Sequence, residues 1–154
     1  MKPSAAFLLM LAALALPAVS SASAAESEWD QERVAALAQD LIEPLEALSA
    51  DLESRSPVPG KEAAHAAVTD VVERLRERAR DLAQRLANGA GRDETVALFR
   101  EVEALQSQAA RQAQEKNYPA PFDMHVHTDR VQTTTIQLAR YYGGSSDSRD
   151  GSHR

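Results

Sequence analysis

Four side chains in this sequence have the chemistry to hold a transition metal: His65, Met124, His125 and His127. Imidazole nitrogen with thioether sulfur suits copper, and imidazole alone suits zinc or iron. Asp129 follows His125 by four residues and could orient its ring from behind the metal. On a helix, His125 and His127 point away from each other, because positions i and i+2 do not share a face. Only an extended 122–127 segment would bring them to one side. The competing interpretation is structural: half-exposed, hydrogen-bonded histidines at a bundle end, with Met124 filling a gap. His153 sits in a polar tail and is set aside.

No other pattern points to catalysis. The sequence has no glycine-rich phosphate loop, no Gly-x-Ser-x-Gly elbow and no His-Glu-x-x-His. Its lack of cysteine excludes thiolate metal sites, cysteine nucleophiles and disulfides. Glu62 precedes His65 by three residues, the Glu-x-x-His spacing of di-iron bundles. A second copy would need glutamate where Phe122 and Met124 stand. The string Phe122-Asp123-Met124-His125-Val126-His127-Thr128 resembles the His-x-His motif of amidohydrolases and histidinol-phosphatase-type phosphoesterases. There the motif ends the first strand of a barrel, which typically needs ~250 residues. Here it follows helical stretches near the end of 154 residues, so the match is read as coincidence and the protein as non-enzymatic.

The elements that must position these residues are helices. Alanine inflates the 44% hydrophobic share, aromatics are 5% and charged residues 26%, a helical composition. Three breaks divide the chain: Ser54 to Gly60, Asn88 to Gly91 and Asn117 to Phe122. Between them the spacing predicts helices over about 28–53, 61–87, 93–116 and 124–142. Val34, Leu41 and Leu48 interleave with Ala38, Leu45 and Leu52 in a 3-4 repeat, one apolar seam. His65, Val72, Ala79 and Leu86 with Val68, Leu75 and Leu82 form the second seam. Leu98 and Leu105 with Thr95, Val102 and Ala109 form the third, widened by Phe99. Met124, Val131 and Leu138 with His127, Thr134 and Tyr141 form the fourth. Asp93 and Asp123 are the expected N-caps of the last two helices, and Ser27 with Asp30 resembles a capping box for the first. Pro44 should bend or break the first helix, which could make five segments. Glu73 to Arg85 reads as a solvated face with ion pairs such as Asp81 with Arg85.

The expected fold is all-α, an antiparallel up-down-up-down four-helix bundle over 26–143. In that topology the second and fourth helices start at the same end, which gathers His65, Met124, His125 and His127 there.

Residues 1–25 read as an address, not as fold. Lys2, the apolar run Phe7 to Leu16, Pro17 and the small residues Ser20 to Ala25 make the three-part pattern of a secretory signal peptide. Cleavage is expected after Ala24 or Ala25. The apolar run is short of the ~20 residues that span a bilayer, and no later segment is apolar enough to cross. The expected location is the periplasm, and residues 144–154 are expected to be a disordered tail. Removing the leader takes Lys2 and no acid, so the net charge of −6 becomes −7, which opposes nucleic-acid binding.

With its leader and four amphipathic helices, the chain resembles the exported four-helix cytochromes, the c-prime and soluble b types, across nearly the whole mature length. That resemblance implies a bundle fold and, by analogy, haem. The ligand motifs depart from it. There is no cysteine for Cys-x-x-Cys-His, no methionine in the first helix, and the fourth-helix histidines stand at its start. No haem ligand carries over, and no cofactor is assigned. The leading expectation is an exported, non-enzymatic bundle that acts by binding, with a groove for a partner helix or a homodimer interface made where alanine packs thinly. The alternative is a copper-like metal or haem carrier using the four residues above.

Overall fold

The computed structural model describes residues 28–118 and 122–143, with all side chains but those of 122–124. The expected leader, the Met124 side chain and the tail beyond 143 lie outside the described residues, whereas Asp123, expected as an N-cap, falls inside the last helix, which starts at Phe122. The regular elements are all helices: α1 (Gln31–Asp40), α2 (Ile42–Ser54), α3 (Glu62–Ala87), α4 (Arg92–Glu115) and α5 (Phe122–Tyr141). No strand occurs among the described residues. None of these helices is long and apolar enough to cross a membrane.

Local chemistry sets most boundaries. The Asp30 carboxylate caps α1 by accepting the Arg33 N–H at 2.9 Å, so Asp30 is itself the N-cap. At α4 the cap is Gly91, not Asp93, and the Glu94 carboxylate accepts the Gly91 N–H at 2.9 Å. The helix starts earlier than expected because a glutamate three residues on satisfies that donor. α3 and α4 both end in a left-handed residue with paired reverse hydrogen bonds. Gly89 (φ 87°) follows α3, with Ala90 N–H to Arg85 O and Gly89 N–H to Leu86 O, both 3.0 Å. Asn117 (φ 47°) follows α4, with Tyr118 N–H to Ala113 O at 2.8 Å and Asn117 N–H to Gln114 O at 3.0 Å.

The first helical stretch is broken in two, and the break falls at Leu41 rather than at Pro44. Proline lacks the donor for the carbonyl four residues back and its ring collides with that carbonyl, here Asp40. The disturbance therefore appears one turn upstream. Leu41 donates to Ala38 O at 3.3 Å, and Leu45 reaches Leu41 O only at 3.4 Å.

Seam residues of the first two stretches are buried as expected, with His65 half-buried. The last stretch is rotated from the expected register. Val131, Thr135, Leu138 and Tyr142 are buried, whereas His127, Thr134 and Tyr141 are only half-buried. The spacing 4-3-4 from Val131 continues one face as well as 3-4-3 does, and the large Tyr142 decides between them. α3 packs on α4, α1 and α2, and α5 packs on α1 and α2. No comparably extended contact joins α4 to α5 among the described residues.

Candidate functional site

The missing α4–α5 seam is a consequence of side-chain size. At one end the two helices are held together by large residues. Tyr142 stacks on Phe99 (centroids 4.3 Å apart, 8° between planes) and meets Trp29 edge-on at 5.3 Å. Its hydroxyl lies 2.8 Å from Thr95 Oγ1. Burial pushes the Tyr142 phenol up. Beyond Val102 the α4 face turns to Gln106, Ser107, Ala109, Ala110 and Ala113, and α5 offers Thr128, Gln132 and Thr135. Such side chains cannot fill the space that leucines would fill.

A groove of about 730 Å³ results. Its floor is Leu45 and Leu48 of α2 with Val68, Val72 and Leu75 of α3. Alanines 109, 110 and 113 form one wall, and Val131, Ile136 and Ala139 line the other. Gln106, Ser107, Gln114, Asn117, Thr128, Gln132 and Thr135 are uncharged polar lining residues. From Glu103 to Asn117 the wall runs about 20 Å at the helical rise. Ile136 is 51% exposed, an apolar side chain left in water at this opening.

The wide end of the groove carries Tyr118 and His125. Tyr118, placed by the α4 terminal turn, is half-buried and its hydroxyl lies 2.8 Å from His65 Nδ1. The two rings tilt at 39° with centroids 5.9 Å apart. Burial raises the Tyr118 phenol above its ordinary range, with Arg55 opposing, so it stays protonated and uncharged.

Among the described residues the three histidines of the sequence-predicted set do not form one group. His65 is half-buried and engaged with Tyr118. His125 is exposed and lines the groove. His127 is on the opposite side of α5, its Nε2 3.8 Å from Asp51 Oδ2 on α2, as i and i+2 positions on a helix require. The His127 Nδ1 is buried with no hydrogen-bond partner among the described residues. Met124 lies outside the described side chains. Among the described residues no group of three or more His, Cys, Asp or Glu is placed to hold a metal ion. Gln106, Ala110 and Gln132 were not predicted as site residues. Their only sequence signal was the shift from large to small side chains midway along the third helical stretch.

The ion pairs between helices fasten the other seams. Arg80 to Glu46 (2.6 Å) joins α3 to α2, Arg78 to Glu101 (3.0 Å) joins α3 to α4, and Arg130 to Glu43 (2.9 Å) joins α5 to α2. Between α2 and α3, buried Ser49 sits in a cluster with Glu73 and Arg76. Asp81 and Arg85 pair at 3.4 Å on the solvated face, as expected. Comparisons with protein-family models, with curated proteins and with solved structures return no match.

Proposed function

We propose that the chain is an exported, non-enzymatic binding protein that holds an elongated apolar ligand in the groove between α4 and α5. The observation that carries this is the groove itself: about 730 Å³, with an apolar floor and a polar rim. Small-molecule sites run to roughly 300–1,000 Å³ and have this make-up. Each methylene laid on the floor contributes about 0.8 kcal/mol before the cost of association, so a ten-carbon chain is long enough to bind measurably. The export half of the reading rests on the leader pattern in residues 1–25.

The helical columns are proposed to run up-down-up-down. Three contacts support this. Gln31 Nε2 reaches Leu86 O at 2.8 Å, placing the start of α1 at the end of α3. His65 meets Tyr118, placing the start of α3 by the end of α4. Thr95 meets Tyr142, placing the start of α4 by the end of α5.

The test is titration of the purified protein with the uncharged, environment-sensitive dye Nile red. Emission should rise and shift to the blue with saturable binding. Ala110→Trp and Gln132→Trp, both at exposed positions on the groove walls, should each abolish it while helical content stays unchanged. Undiminished dye binding by both variants overturns the groove as the site. Intact mass of the protein from its host should correspond to a start after Ala24 or Ala25. A retained leader overturns the export reading.

A further inference from the structure

The charge pattern around the groove narrows its ligand further. Resting on the reading of the groove as a binding site, we infer that its occupant is a small uncharged amphiphile: a single apolar chain with a hydroxyl- or amide-bearing head. The chain would lie on Leu45, Leu48, Val68, Val72 and Leu75, and the head would meet the amides and hydroxyls of the rim.

The argument is one of complementarity. An anionic head, such as a fatty carboxylate or a phosphate, needs a cation or a set of aimed N–H donors to leave bulk water. Among the described residues the groove lining holds no lysine or arginine. The net charge of −6 disfavours an anion. A cationic head finds the one lining carboxylate, Glu103, already occupied, because Arg100 Nη1 lies 2.7 Å from Glu103 Oε2. Apart from the single imidazole of His125, what remains is hydrogen-bonding capacity without charge. Gln106, Gln114, Asn117 and Gln132 each offer both donors and acceptors. At the wide end Tyr118 adds a neutral phenol oriented by His65, beside the exposed His125. A peptide helix is the weaker occupant, because a groove of about 730 Å³ is of small-molecule size.

The experiment compares three ten-carbon probes by calorimetry on the full protein: monodecanoylglycerol, decanoate and decyltrimethylammonium, all below their micelle concentrations. Monodecanoylglycerol should bind at least about tenfold more tightly than either charged probe. Lengthening its chain by two methylenes should tighten binding by roughly tenfold more. Gln106→Arg should reverse the order and favour decanoate, a gain that misfolding cannot mimic. Equal or tighter binding of a charged probe by the parent overturns the head-group inference, while loss of all binding in Ala110→Trp still upholds the groove. If no probe binds and the parent is a dimer that Ala110→Trp dissociates, the groove is covered by protein and both readings fall. If no probe binds and the parent is a monomer, both fall as well.

Discussion

The hydroxyl pair that ties the start of α4 to the end of α5 makes a sharp energetic prediction. Thr95 is fully buried and Tyr142 is 3% exposed. Thr95 Oγ1 lies 2.8 Å from both Gly91 O and the Tyr142 hydroxyl. A threonine hydroxyl has one proton, and a carbonyl can only accept, so the Thr95 proton goes to Gly91 and Tyr142 donates to Thr95. The two truncations are therefore unequal. Tyr142→Phe removes a donor and leaves Thr95 still bonded to Gly91, which should cost about 1 kcal/mol. Thr95→Val leaves the phenol proton buried with nothing to accept it, which should cost about 2 kcal/mol. The double variant removes the stranded donor as well, so it should cost about 1 kcal/mol, well below the ~3 kcal/mol of simple addition.

Trp29, the sole tryptophan, touches the Tyr142 ring edge and so reports on this contact directly. Urea melts followed by its fluorescence and by circular dichroism give the four stabilities. With a slope of about 2 kcal/mol/M, the single variants should differ by ~0.5 M in midpoint. The double variant should melt above Thr95→Val. Additivity within ~0.5 kcal/mol, or a larger loss in Tyr142→Phe than in Thr95→Val, would refute the assigned direction of the bond.

Two other features are open to measurement. Hydrogen bonding to Arg130, and then the charge of that arginine, hold the Glu43 carboxyl below its ordinary 4.5, against a small opposing effect of burial. The stability this gives is fully present above 4.5 and is lost as pH falls through the lower folded value. Hydrogen-exchange protection in the first half of α5, taken relative to the intrinsic exchange rate at each pH, should thus fall below pH 4.5 at low salt, and Arg130→Met should remove that dependence. At the helix ends, Gly89→Ala should cost about 1 kcal/mol for a side chain at φ 87°, whereas Asn117→Gly should be neutral or slightly stabilising, both read by thermal melts.

The fold was legible wherever large apolar residues recur at helical spacing. Leu45, Leu52, Leu75, Leu82 and Leu86 announce their buried faces, and the Asn88-Gly89 stop is read from residue type alone. The Leu41 break was legible in kind but not in place, because proline acts on a carbonyl four residues upstream. The last helix misled, since Tyr141 and Tyr142 are adjacent and only packing against Phe99 and Thr95 chooses between them. The histidine and methionine cluster is a different case. Sequence can place His65, His125 and His127 at one end of a bundle, but ring direction is set by Tyr118 and Asp51, residues far away in sequence. The groove was foreshadowed only as thin packing by alanine. Which two helices would part depends on volume summed across four of them, and no single stretch carries that sum.

Thin packing and a built site make opposite predictions on filling. Ala110 and Gln132 stand on opposite walls of the groove, both exposed, and neither makes a contact that the core requires. Leucine at both positions adds apolar surface over Val72 and Leu75 and is a good helix former, only slightly below the alanine it replaces at 110. The double change should therefore raise stability by about 1–2 kcal/mol, in the range seen when natural cavities are filled. A floor kept open at that cost to stability is what a binding site requires, so the same change should abolish uptake of Nile red and of monodecanoylglycerol. A variant that gains stability yet binds as before would mean that the ligand lies elsewhere. A variant that gains nothing would mean that the floor is already covered, and the groove would lose its claim to be a site.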